Sequence, residues 1–107
     1  MARKNSSRER EVFIVGVGRF VIEMSGNDDL KAKRSIVSKI RDKILDRFNV
    51  SFAEVGPQDT MDEAILGIAV VASDRGYLER LLNQIPDYID GMGYCRVLSE
   101  DIDIQNY

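Results

Sequence analysis

From residue 30 to residue 48, apolar side chains return at helical spacing. Leu30, Ile36, Val37, Ile40, Ile44 and Phe48 share one broad stripe at 100° per residue, with Leu45 at its edge. This predicts an amphipathic helix packed on a core. Asp29 is placed to cap its start, and Asn49 to stop it in a left-handed conformation. Residues 12–24, VFIVGVGRFVIEM, are β-branched and aromatic and predict a first strand, apolar on both faces at its start. A short second strand is expected over residues 50–55, with Glu54 on the side of Val50 and Phe52, then a loop over 56–62. Residues 64–72, AILGIAVVA, with Glu63 in front of them, read as a central third strand. Ser73 and Asp74 cap a second helix whose stripe is Leu78, Leu81, Leu82, Ile85, Tyr88 and Ile89. Pro86 lies inside that helix and predicts a kink or a break. Gly91 and Gly93 end it, and residues 94–104 form a last strand whose acids Glu100, Asp101 and Asp103 blunt an open edge.

The order β-α-β-β-α-β is the split βαβ arrangement of ferredoxin-like α+β folds. Right-handed crossovers put both helices on one face of a four-stranded antiparallel sheet, with strands one and three central. If Ile14, Phe20 and Ile22 pack under the helices, then Phe13, Val15 and Val17 lie on the open face, and the opposite parity exposes a similarly apolar set. Either way the face invites a partner, most simply a second copy of the chain. Gly16-Val17-Gly18 is not a nucleotide fingerprint, because the glycines sit inside a strand with no third glycine and no helix start. They read as close-packing positions or a bulge.

With 107 residues the chain fits one domain, expected over 12–107 behind a polar arm at 1–11. It has no histidine and a single cysteine, Cys95, which removes an intrachain disulfide, the usual zinc sets and His-dependent nucleophile pairs. Asp59, Asp62 and Glu63 lack a fixed ligand spacing and read as solvated loop acids, so neither metal nor cofactor is expected. The longest apolar run is broken by Arg19 and Glu23, and the first eleven residues lack a secretion signal's apolar core, so a cytoplasmic protein without a membrane span is expected.

Charge adds what hydropathy does not show. The net charge is −3, yet residues 1–48 carry 12 basic against 7 acidic side chains and residues 49–107 carry 3 against 11. The first helix holds Lys31, Lys33, Arg34, Lys39, Arg41, Lys43 and Arg47 against only Asp42 and Asp46. Its dipole disfavours cations in the first turn, so Lys31, Lys33 and Arg34 are not there for helix stability. Lys33 falls within the apolar stripe, where it either snorkels to water or belongs to an anion site. Lys31, Lys33, Arg34 and Arg41 are therefore the candidate phosphate contacts. Arg3, Lys4, Arg8 and Arg10 of the arm add either salt-sensitive attraction or solubility.

LKAKR at 30–34, RFNVSFAEV at 47–55, Asp59 in the following loop and LGIAVVASD at 66–74 together resemble the YlxP-like family, domain of unknown function 503. The similarity covers residues 14–104. Lys31, Lys33, Arg34, Phe48, Asn49, Ser51 and Glu54 match the pattern position by position, while Pro86 departs from a continuous helix. The resemblance implies a ferredoxin-like fold and no established activity. Genes of the family often sit among translation genes, which implies the ribosome or structured RNA as a partner. The leading expectation is a non-catalytic module binding RNA backbone through the basic helix, since the strands lack the interleaved aromatic and basic residues of a base-stacking sheet. The alternative is a homo-oligomeric module using its open face. An enzyme reading would pair Glu54 with Lys33 or Arg34 as acid and base, but a structural ion pair explains the same residues more simply.

Overall fold

The computed structural model describes residues 11–57 and 59–107. The arm expected over 1–11 lies, apart from Glu11, outside the described residues. Six elements follow in order: β1 (Ile14–Glu23), α1 (Leu30–Arg47), β2 (Ser51–Gly56), β3 (Glu63–Ala72), α2 (Arg75–Gly91) and β4 (Arg96–Asn106). The four strands form one antiparallel sheet in the order β2-β3-β1-β4, so β1 and β3 are central and β2 and β4 are edges. This is the expected ferredoxin-like α+β fold.

Strand parity is decided by the buried set. Ile14, Phe20 and Ile22 of β1 and Ala64, Leu66, Ile68 and Val70 of β3 are buried with the helix residues Ile40, Ile44, Leu78, Leu82, Ile85 and Ile89 in a single core. Val15 and Val17 consequently face away from the helices. Phe13, just ahead of β1, stacks on Tyr107 at 5.6 Å and exchanges two backbone hydrogen bonds with it, extending the β1–β4 ladder by one pair. Gly16 and Gly18 are close-packing positions. A Cβ at Gly16 would lie 2.7 Å from Leu82 Cδ1, and one at Gly18 2.6 Å from Phe20 Cε2.

Asp29 caps α1 as expected, its Oδ1 accepting from Lys31 N at 3.0 Å. The stop differs from expectation. Phe48 is the C-cap in an extended conformation, its N–H donating to Ile44 O at 2.8 Å, and no non-glycine among the described residues has a positive φ, Asn49 included. The chain leaves the helix straight into β2, so no left-handed turn is needed. In α2, Asp74 accepts from Gly76 N, and the helix runs unbroken through Pro86. Of the expected kink or break, the break is absent, because Pro86 is itself buried with Leu81, Leu82, Ile85 and Ile89. That packing outweighs a lost hydrogen bond and ring clash worth about 3 kcal/mol. Beyond the helix, Asp90 Oδ1 accepts from Val97 N at 2.8 Å and so ties its end to the start of β4.

Candidate functional site: a basic trough between α1 and β2

The first turn of α1 lies over the end of β2 and the β2–β3 connection. Lys33 points inward there, as its place in the apolar stripe requires, and is only 2% exposed. Its ammonium donates to Pro57 O at 2.7 Å and Thr60 O at 2.6 Å, with Glu54 Oε2 at 3.9 Å. The same connection is held from the other side by Asn27, whose Nδ2 donates to Met61 O at 2.6 Å. A buried ammonium needs hydrogen-bond acceptors to offset its lost hydration, and two loop carbonyls supply them. Lys33 must therefore be removed from the set of phosphate contacts: its ammonium does not snorkel to water but is held by the two carbonyls, and it fastens the loop to the helix. The acid–base pairing of Glu54 with Lys33 loses its chemistry for the same reason, since that ammonium is held by carbonyls.

Above Lys33 two hollows adjoin. One, of about 300 Å³, is lined by Leu30, Lys33, Arg34, Glu54 and Gly56. The next, of about 310 Å³, is lined by Arg34, Val37, Ser38, Arg41, Phe52, Ala53 and Glu54. Sharing Arg34 and Glu54, they form one trough between α1 and the β2 edge. Glu54 stands on the helix side because it pairs with Leu66, as Phe52 pairs with Ile68.

The remaining cations of α1 divide by partner. Arg41 pairs with Asp42, Nη2 to Oδ1 at 3.0 Å, with both side chains well exposed, which is a weak attachment. Lys39 lies over the Tyr94 ring, and Arg47 lies over Phe48 and Tyr88. Lys31, Arg34 and Lys43 are exposed, and their side chains enter none of the hydrogen bonds or ion pairs among the described residues. The trough thus presents Arg34 and Arg41 on its wall, with Lys31 exposed on the same first turn as Arg34. Asn49 and Asp59 are exposed and outside it. Ser51 pairs with Ala69 and so belongs to the opposite, open face. The trough's apolar floor, Val37 and Phe52, and the carbonyls of Pro57 and Thr60 were not singled out by sequence. Carbonyls carry no side-chain signal, and the two apolar residues read only as core. No group of three potential metal ligands occurs among the described residues. Away from the trough, burial and the neighbouring Asp90 carboxylate push the Cys95 thiol up to about 11.

The family model "Protein of unknown function (DUF503)" matches residues 15–102, a span that includes the whole trough. The chain belongs to the DUF503 family. Among relatives, the uncharacterized protein YlxP of Bacillus subtilis (strain 168) is 39% identical over 61 residues, 57% of this chain and 66% of that protein. Among solved structures, a VAO-type flavoprotein from Myceliophthora thermophila C1 superposes with a TM-score of 0.56 at 17% identity, over 90% of this chain and 17% of that one. The structural-genomics protein YJCS gives 0.51 at 5% identity, over 83% of this chain and 96% of its own. At such identities these two likenesses concern the fold alone. No helix among the described residues is long and apolar enough to cross a membrane.

Proposed function

We propose that this DUF503 domain is a non-catalytic binding module for the sugar-phosphate backbone of structured RNA, the ribosome's included, and that the α1/β2 trough is its contact surface. The observation that carries this reading is the division of α1's cations. Lys33 is used up inside the fold, while Arg34 and Lys31 are exposed and unpaired among the described residues and Arg41 is held by exposed contacts to Asp42 and Ser38. Guanidinium groups suit phosphate because their planar fork offers two parallel donors to its oxygens. Glu54, on the facing β2 wall, repels a phosphate and so confines it to the Arg34–Arg41 side of the trough. Such contacts give affinity with little choice of sequence. The test is co-sedimentation of the protein with ribosomal subunits and with total RNA at low and moderate salt, beside an Arg34→Glu, Arg41→Glu double variant. Salt-sensitive association lost in the variant is expected. Equal association of the two proteins would sink the reading.

A further inference from the structure

The helix-free face of the sheet has the shape and charge of a self-complementary surface. Its β2–β3–β1 part is apolar except at Arg19: Val15, Val17 and Val21 lie beside Val71, Ala69 and Ile65 in register, with Arg19 opposite Gly67 between them. Small residues at Ser51, Ala53, Gly67 and Ala69 leave a dent of about 330 Å³ between Val17 and the β2 edge. Two side chains project near it. Val55, 59% exposed, lies over Gly67, where a Cβ would be 3.4 Å from Val55 Cγ1, and Val71, 66% exposed, follows Ala69 along the same face of β3. Charge occupies the other side. Arg19 of β1 pairs in register with Asp101 of β4, and Asp103 is opposite Val17, so one cation adjoins a short acidic column. Arg19 is in none of the four ion pairs among the described residues.

We propose that this face is the interface of a two-fold dimer of the chain, with Val55 and Val71 of each copy seated against the dent of the other and Arg19 of each meeting Asp101 and Asp103 of the other. A second copy is the occupant that the charge pattern selects, because a two-fold axis brings the basic position of one sheet to the acidic column of its partner, and the reverse. The area is adequate. Strands of 10, 6, 10 and 11 residues, about 4.8 Å apart with about 3.3 Å per residue, present ~590 Å² per copy, so ~1,200 Å² is covered in all, at the lower end of the range of specific interfaces. Sheet-to-sheet packing leaves the helices outside and both α1/β2 troughs free, so the dimer does not depend on what the troughs bind.

Light scattering coupled to size exclusion at tens of micromolar tests this on the full chain, beside Val17→Glu and Val71→Glu. Both positions are exposed in the monomer, so the fold survives, and far-ultraviolet circular dichroism checks it. A wild-type mass of about 24 kDa, twice the 12.1 kDa chain, falling to the monomer mass in both variants, is expected. A monomeric wild type, or a dimer indifferent to both substitutions, overturns the proposal. Arg19→Asp and the pair Asp101→Arg, Asp103→Arg should each be monomeric alone and dimerise when mixed. An ion pair confined within one chain gives no such recovery, so variants that stay monomeric on mixing refute the charge pairing.

Discussion

Replacing Lys33 with Met keeps the length and apolar stem of the side chain and removes only its ammonium. Two loop carbonyls, of Pro57 and Thr60, then lose a charged donor at 2.7 and 2.6 Å. Hydrogen bonds to charged groups are worth about 1.5–3 kcal/mol each. Eliminating the buried ammonium also relieves its desolvation cost, so a net loss of ~2–4 kcal/mol is expected. For a domain of this size each kcal/mol moves the Tm by about 4–8 °C, so Lys33→Met should melt ~8–30 °C lower. Glu54→Gln is the internal control. Its carboxylate stands 3.9 Å from Nζ and is 35% exposed, which limits the ion pair to less than about 1 kcal/mol. Urea unfolding followed by circular dichroism measures both, and an unchanged m-value shows that the shift is one of stability. Amide exchange should rise in residues 59–62 of Lys33→Met before it rises in the core strands. If Lys33→Met costs no more than Glu54→Gln, Lys33 is not the fastening of the β2–β3 connection.

Glu54→Gln should also strengthen RNA binding about 3-fold at low salt, since one like charge about 6 Å from a phosphate in a water-like dielectric costs ~0.7 kcal/mol; fluorescence anisotropy reads this, and weaker binding would give Glu54 a contact role. Gly18→Ala should destabilise by about 1–3 kcal/mol, because its Cβ meets the buried Phe20 ring at 2.6 Å, and a neutral result in urea unfolding would show that the ring has room to move. Cys95, with its thiol raised to about 11, should alkylate slowly at pH 8 and roughly tenfold faster per pH unit up to about pH 10. Its protonated form is the one the native state favours, so any stability linked to it is intact at neutral pH and lost as pH rises through that value. A rate that levels off near pH 9 would place the thiol in water.

Most of the fold was legible because the periodicity of Leu30 to Phe48 and the runs ending at Met24 and Ala72 each admit one element type. Boundaries moved by one or two residues where hydrogen bonding, not hydropathy, sets the end, as at Phe48 and at Gly56. Pro86 misled because its local cost is visible in sequence and the burial that offsets it is not. The trough was half legible. Lys33 stood out correctly as a charge in an apolar stripe, but its acceptors are backbone carbonyls 24 and 27 residues away, which no residue type announces. Arg41 was singled out by charge, and Arg34 by charge, its place in the first turn and the family pattern. What separates them from Lys39 and Arg47 is the aromatic rings at Tyr94 and Tyr88, brought near only by the fold. Ser51 and Glu54, three apart in one strand, fall on opposite faces of the sheet and cannot share a role.

The most direct test of the α1/β2 trough is the salt dependence of RNA affinity for the wild type and for Arg34→Glu, Arg41→Glu, measured by anisotropy on a structured ribosomal fragment. Three phosphate contacts, from Lys31, Arg34 and Arg41, give a slope of log K against log salt of about −2 to −3. This is a ~16–64-fold loss of affinity between about 50 and 200 mM salt. The double variant should bind weakly with a slope near −1 or less steep. A wild type with no measurable affinity, or a variant with the same slope as the wild type, contradicts a phosphate-binding trough.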